Sequence, residues 1–570
     1  MSEISTMDDF SRKAVEEFLQ TVVFVDDKIY APSSNRTFLP GGKKVATPIR
    51  RKPATKTAEE TATINSEERY TEHESKPPFF PHDIQSSFAK KHIVCSLHQP
   101  RKSHSVGIGS DTYKLCLCAD IIIVDWDLYG DAGVKAKTLV KNLVIQNLEA
   151  DPHQLRLVLI YTDTLDLFDI SNQIFEELDK NIPDKIDYKD NDKGLAFHTL
   201  NARVVALGKP TERRDEFKEF EVKESELADR AVIEFCKLAN GMLQGAVLMG
   251  LAAIRKQSRR ILTKFHSGLD ASFLSHRALG LPHEEAFEHI TPLLVAEIEA
   301  VLEDSLPKPW VNDATIRDWC KKWTPAKHAT EFVGQEYDTC EFATDFCTKG
   351  MGIADGNDTP KKKSDLKKTI TRLKQNSPTW PSTDSSAFKT LTSYLSNDAN
   401  GDDLRELSVL MSQRTYYKNH RHLSLGAIIR ESEGDKRYLI CLQPTCDCVR
   451  LKESSTFIFC LLQEAKEGQK STHVVPHTDD AGRHVDLMYK PKSENCVTLI
   501  FTPTESKGLV TAKKNKTRPG FAFQSGDNKS YQWIAQLKPK HAQRAVEQFA
   551  RELSRVGLTE SEWLRLKAKP

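Results

Sequence analysis

The chain of 570 residues has no apolar run long enough to cross a bilayer. Its longest such stretch, Gly241 to Ile254, covers about 14 residues and reads as a buried helix. The opening Met-Ser-Glu-Ile-Ser-Thr-Met-Asp-Asp has no basic patch followed by an apolar core. No secretory leader is expected there, and a cytoplasmic location is. Net charge is nearly absent too: 81 Lys and Arg against 80 Asp and Glu leave +1. No global field therefore favours nucleic acid or an anionic membrane, and neither is expected as a partner. Twelve cysteines in so long a chain imply reduced thiols, not a disulfide framework. No internal repeat is visible. With 39% hydrophobic and 28% charged residues the composition is that of a soluble globular protein, and the length calls for two to four domains.

What is present begins with an N-terminal helix over 1–20, whose Phe10, Val15, Phe18 and Leu19 have helical spacing. Four apolar runs follow that each stop at a chemically loaded residue. Val22-Val23-Phe24-Val25 stops at Asp26-Asp27. Ile121-Ile122-Ile123-Val124 stops at Asp125. Leu157 to Tyr161 stops at Thr162. Val204 to Gly208 stops at Lys209-Pro210. Such runs, bounded by polar residues, predict buried parallel strands. A further strand is expected at His92–Leu97. Helical spacing falls between most of these strands, for example over Gly133–Leu148 and Leu165–Leu178. The expected fold of 21–255 is therefore α/β, a doubly wound parallel sheet of five strands. It is interrupted by a polar insertion at 32–78, rich in Lys, Arg, Thr, Glu and Pro.

Beyond it, 256–350 is expected to be helical and 351–420 a polar linker. The last segment, 421–570, is expected to be a β-rich α+β domain that ends in two helices, His541–Val556 and Thr559–Lys567.

In an open parallel sheet, ligands bind at the carboxyl ends of the strands. Asp26, Asp27 and Asp125 would form a cluster of like charge there, which is costly unless a cation neutralises it. Oxygen-only ligands suit Mg²⁺. An amine at Lys209 and a hydroxyl at Thr162 would suit a phosphoryl group, whose transfer needs positioning and charge neutralisation.

The ordered set Asp26-Asp27, Asp125, Thr162 and Lys209-Pro210 resembles the receiver domain of two-component response regulators. The local sequence Asp125-Trp126-Asp127-Leu128, with Gly133 further on, is similar to that family's phosphoacceptor loop. The resemblance implies a flavodoxin-like fold, Mg²⁺ and a sensor histidine kinase as partner. It implies that Asp125 accepts phosphate from a phosphohistidine. It implies that Asp26, Asp27, Asp125 and the main-chain carbonyl of Asp127 hold the metal. Thr162 would bond a phosphoryl oxygen and Lys209 would pair with the phosphoryl group. Two residues depart from the pattern: Tyr129 stands where the family usually has Pro, and Asp163 where it has a small residue. The unusual receiver on a large chain resembles the buffer component of Detocs-type defence systems against phage. That would make the chain a phosphate buffer or signalling adaptor that works with an effector protein.

Two other functions fit some residues. Lys507 to Lys529, with Phe521, Phe523 and Trp533, has the basic and aromatic mixture of a nucleic-acid surface, although a solvated basic hairpin is the simpler reading. Asp125-x-Asp127 also resembles the first motif of haloacid-dehalogenase-like phosphatases. Those enzymes place their acidic pair after the lysine, where only Gly352 to Asp358 is available, so motif order favours the receiver. Cys116-x-Cys118 and Cys446-Asp-Cys448 are read as buried thiols and not as zinc ligands.

Overall fold

A computed structural model describes residues 6–29, 80–149 and, with short interruptions, 154–279, 290–323 and 402–568, plus isolated positions between 330 and 395. The polar insertion at 32–78, most of the 351–420 linker and the Gly352–Asp358 stretch lie outside the described residues. The chain divides into two compact units, Met1–Thr315 and Ile316–Pro570.

The first unit opens with helix α1 (Met7–Phe18), whose N-terminus is capped by the Thr6 hydroxyl accepting from the Asp9 N–H. Strand β1 (Thr21–Val25) follows, then α2 (Pro81–Lys90), β2 (Val94–His98), α3 (Asp111–Leu117), β3 (Ile121–Val124) and α4 (Val134–Glu149). Next come β4 (Arg156–Thr162), α5 (Leu167–Asp179), β5 (Asp187–Tyr188), β6 (Ala196–His198) and β7 (Ala202–Gly208). The sheet order is β2-β1-β3-β4-β7-β6-β5. The first five strands in that order are parallel. They make the expected doubly wound core. The sheet has seven strands, not five, because β6 and β5 extend it antiparallel beyond β7. Both are two or three residues long and lie in or beside a polar excursion, too short for a periodicity to register.

The inner strands are buried on both faces, which is why they read as unbroken apolar runs. Because side chains alternate along a strand, each run serves two cores. Val23, Val25, Ile122, Val124, Val158 and Ile160 pack with α3, α4 and α5. On the other face α6 (Leu227–Leu238) packs on β4 and β7, and α1 packs on α6.

An ion pair crosses that second face. Arg203 of β7 and Glu234 of α6 are both fully buried, and Arg203 Nε and a terminal nitrogen donate to Glu234 Oε2 at 2.8 and 2.6 Å. The other carboxylate oxygen meets Arg230 at 2.9 Å and Lys237 at 3.2 Å.

After Glu224 the chain forms α6 and then α7 (Met242–Lys264), with Gly241 in extended conformation between them. Helix α7 lies against α1 at Gly245, where a Cβ would fall 2.6 Å from the Phe10 ring. Helices α8 (Asp270–Leu279) and α9 (Ile290–Ser305) complete this unit, and α10 (Asp313–Trp323) runs across the boundary between the units. Among the described residues no helix is long and apolar enough to cross a membrane.

The second unit has a small ribbon, β8 (Thr330–Glu331) with β9 (Glu336–Tyr337), and helix α11 (Asp402–Ser412) within the stretch expected as linker. Its body is a nine-stranded sheet. The strands are β10 (Ala427–Glu431), β11 (Tyr438–Cys441), β12 (Ser455–Glu464), β13 (His473–Pro476), β14 (His484–Tyr489), β15 (Cys496–Phe501), β16 (Lys513–Lys514), β17 (Phe521–Gln524) and β18 (Ser530–Gln536). Helix α12 (Pro539–Leu553) covers one face with Ala542, Ala545 and Phe549. An aromatic cluster of Phe457, Phe459, Phe501, Phe523 and Tyr531 fills the other. Helix α13 (Glu560–Lys567) ends the described chain. The β-rich character is as expected.

Removing one partner of a buried ion pair leaves an uncompensated charge. Glu234→Gln is expected to destabilise the first unit by about 3–5 kcal/mol, read as a lower urea midpoint for its unfolding transition. An unchanged midpoint would show that the pair contributes nothing.

Candidate phosphoacceptor site

The carboxyl ends of β1, β3, β4 and β7 lie side by side, so residues up to 183 positions apart in sequence meet. The backbone ladder carries this alignment past the strands: the Asp125 N–H donates to the Val25 carbonyl at 2.9 Å, and the Lys209 N–H to the Thr162 carbonyl at 2.8 Å. Asp120 fixes the opposite end by accepting from the backbone of Gln20 and Thr21 at 3.0 and 3.1 Å.

Asp26 and Asp125 are fully buried and Asp27 is half-buried. Oxygens of these three carboxylates lie within 4.8 Å of one another, the one such grouping of three acidic, histidine or cysteine side chains among the described residues. Neither cysteine motif joins a group of this kind. Lys209 Nζ stands 2.9 Å from Asp26 Oδ2 and 3.6 Å from Asp125 Oδ2. It also lies over the Tyr161 ring, 5.6 Å from its centre. Thr162 is buried; its hydroxyl lies 3.2 Å from the Thr164 hydroxyl and accepts from the Thr164 N–H at 3.3 Å. The structure thus brings Asp26, Asp27, Asp125 and Lys209 together, with Thr162 at the end of the strand between the last two.

Asp127 behaves differently. Its carboxylate accepts from the Ala132 N–H at 3.2 Å and takes no part in the acidic group. Only its main chain is left to serve a metal, as the family resemblance implies.

Three carboxylates so close are unfavourable together. Burial pushes the Asp125 carboxyl up to about 7; Lys209 opposes that shift, Asp26 adds to it and Lys28 opposes it. Burial also raises Asp27, partly offset by its hydrogen bond from Tyr129. Burial works against a charged Lys209, but Asp125 and Asp26 outweigh it and hold the amine above its ordinary value. The buried Asp27 Oδ1 and both oxygens of Asp125 accept no hydrogen bond. Buried carboxylate oxygens without donors are costly. An all-oxygen set with unsatisfied lone pairs fits a hard divalent cation such as Mg²⁺, and the residues present meet that requirement.

Both departures from the family pattern have a structural account. Tyr129 has φ +65°, which a proline ring forbids, and its N–H donates to Asp27 Oδ2 at 2.9 Å, which a proline lacks. The loop is thus shaped around Tyr129, whose hydroxyl donates to the Pro100 carbonyl at 2.5 Å. Gly133, at φ +85°, is required: a Cβ there would fall 2.2 Å from the Trp126 ring. Asp163 is partnered by Lys28, whose Nζ lies 3.6 Å from Asp163 Oδ2 and 3.9 Å from Asp125 Oδ2.

Sequence reading missed Lys28, although it directly follows the acidic pair. It also missed Arg213, which lies in a loop with no pattern to single it out.

In the second unit, the aromatic rings near the basic stretch are already in use. Phe523 is buried, and the Arg421 guanidinium lies 3.8 Å from the Phe521 ring centre and 4.8 Å from that of Trp533.

Residues 18–214 match the family described as Response receiver domain. No curated protein and no solved structure matches the chain. The matched segment contains every residue of the site, so the chain carries a receiver domain whose strand ends hold the acidic cluster.

If the three carboxylates share one cation, each is needed. Asp27→Asn is expected to weaken Mg²⁺ binding at least about tenfold by isothermal titration calorimetry, the scale of removing one charged ligand. Equal affinity in the variant would remove Asp27 from the metal set.

Proposed function

We propose that the chain is a response regulator whose Asp125 accepts a phosphoryl group from a phosphohistidine of a sensor histidine kinase. The observation that carries this reading is the Asp125 carboxylate: fully buried, both oxygens without a hydrogen-bond donor, and Lys209 at 3.6 Å. A carboxylate held this way is poised for a group that brings its own charge to Lys209.

The transfer balances simply. An oxygen of Asp125 attacks phosphorus, the P–N bond of the phosphohistidine breaks, and the imidazole leaves with the bonding pair and takes a proton. The product is an acyl phosphate on Asp125. Lys209 already spans Asp26 and Asp125, so its ammonium is placed to pair with the new phosphoryl oxygens. Thr162 exchanges its bond with Thr164 for one to a phosphoryl oxygen. Asp26, Asp27, Asp125 and the Asp127 carbonyl would hold Mg²⁺, which would neutralise the phosphoryl charge. The enzyme reading, a phosphatase, gains nothing from the acidic group, which is drawn from ahead of Asp125 and not from beyond Lys209.

We extend the reading to the role of phosphate buffer or adaptor, in line with the resemblance to the Detocs-type receiver. A buffer drains phosphoryl groups from its kinase without acting on a further substrate.

Incubation of the full chain with acetyl phosphate and Mg²⁺, followed by intact mass, tests the central claim. One phosphoryl adduct is expected, absent in Asp125→Asn and absent after chelation. No adduct with acetyl phosphate or with a histidine kinase would overturn the reading.

A further inference from the structure

Arg213 is 7% exposed and sits behind the phosphoacceptor site, not in it. Its guanidinium collects carbonyls from two different strand ends. One terminal nitrogen donates to Thr162 and Thr164 carbonyls at 2.8 Å each, and Nε donates to Thr164 at 3.2 Å. The other terminal nitrogen donates to the Lys209 carbonyl and pairs with Glu221 Oε1 at 3.2 Å. The Thr162 carbonyl also accepts the Lys209 N–H at 2.8 Å.

We propose that Arg213 is a positioning residue: it locks the β4 and β7 ends that present Thr162 and Lys209, and it passes movement of Thr162 to residues 215–222. The proposal rests on the reading of Asp125 as phosphoacceptor.

Strand ends leave carbonyls without ladder partners, and burial makes each one costly. Only a planar fork of donors can serve three carbonyls and a carboxylate at once; a lysine ammonium is a point with three donors and cannot hold that geometry. Gly208 is the complement of this fork. A Cβ there would lie 2.1 Å from one guanidinium nitrogen and 2.5 Å from Cζ, so the guanidinium requires glycine.

The far side of Arg213 is tied to a discrete segment. A 3-10 turn over Asp215–Phe220 leads to Glu221, whose carboxylate holds Arg213, and to Val222. The Val222 N–H donates to the Gly208 carbonyl at 2.9 Å, and the Tyr161 hydroxyl donates to the Val222 carbonyl at 2.7 Å. Beside it, an open groove of about 710 Å³ is lined by Leu165, Phe168, Lys193, Glu216 and Phe217. If Thr162 draws its strand end along as it turns from Thr164 toward a phosphoryl group, the Thr162 and Thr164 carbonyls shift. Arg213 cannot follow them without disturbing Lys209 or Glu221, so the shift reaches 215–222.

The test uses the full chain with Mg²⁺, with acetyl phosphate for labelling and beryllium fluoride as a stable phosphoryl mimic. Adduct lifetime is followed by intact mass, and amide hydrogen exchange is read over 215–222 with and without the mimic. In the wild type the mimic is expected to change exchange there. Arg213→Lys and Gly208→Ala are both expected to accept the label at Asp125, because the acceptor and its cations are untouched. Their adduct lifetimes should differ from wild type about three- to tenfold, the scale of one hydrogen bond. The response of 215–222 to the mimic should vanish. A purely structural role would alter baseline exchange but not the response to the mimic. Labelled variants with wild-type lifetime and wild-type response overturn the inference alone. If both variants lose cooperative unfolding, Glu221→Gln decides, since it cuts the link and leaves the buried fork in place: an unchanged response over 215–222 overturns the inference. Failure of the wild type itself to take the label would instead overturn the phosphoacceptor reading, and this inference with it.

Discussion

Everything at this site follows from crowding three carboxylates at neighbouring strand ends. Asp26 and Asp27 end β1, Asp125 ends β3, and the parallel register leaves them no way to separate. Burial, with repulsion from Asp26 added to it, raises the Asp125 carboxyl, and Lys209 holds the cluster by spanning Asp26 and Asp125. The amine reaches them only because β7 ends level with β4, where the Thr162 carbonyl receives the Lys209 N–H. Cluster, register and cation form one arrangement, and loss of any one leaves a buried charge unmatched.

Much of this was legible in the sequence because parallel strands buried on both faces write themselves as apolar runs. Val22 to Val25, Ile121 to Val124, Leu157 to Tyr161 and Val204 to Leu207 all proved to be inner strands. A residue that closes such a run stands at the carboxyl end of the sheet, so Asp26, Asp125, Thr162 and Lys209 could be named before any geometry was known. The acidic cluster of Asp26, Asp27 and Asp125 was legible in kind, but its surroundings were not. Nothing local says that the Asp127 carboxylate folds back onto Ala132.

What was hidden shares a cause. Strands β5 and β6 are too short for a period to show. Arg203 sits inside an apolar strand and Glu234 inside a helix; each looks like a surface charge until the two are seen to face one another. Arg213 gives no signal because all its partners but Glu221 are backbone carbonyls, which every sequence has. Tyr129 was visible as a departure, but its meaning lay in a positive φ and an N–H that no residue code displays. Sequence shows burial and charge type well; it does not show which polar groups find one another across the fold.

The two short antiparallel strands beyond β7 have a bearing on how this sheet meets other chains. They make the strand that ends at Lys209 an interior one, hydrogen-bonded on both sides. Its backbone is therefore closed to any partner that would lengthen the sheet from that direction. The opposite border is β2, where Val94 is 70% exposed. Among the described residues this five-residue strand is the longer of the sheet's two borders, on the side of β1 and the acidic pair and away from Lys209.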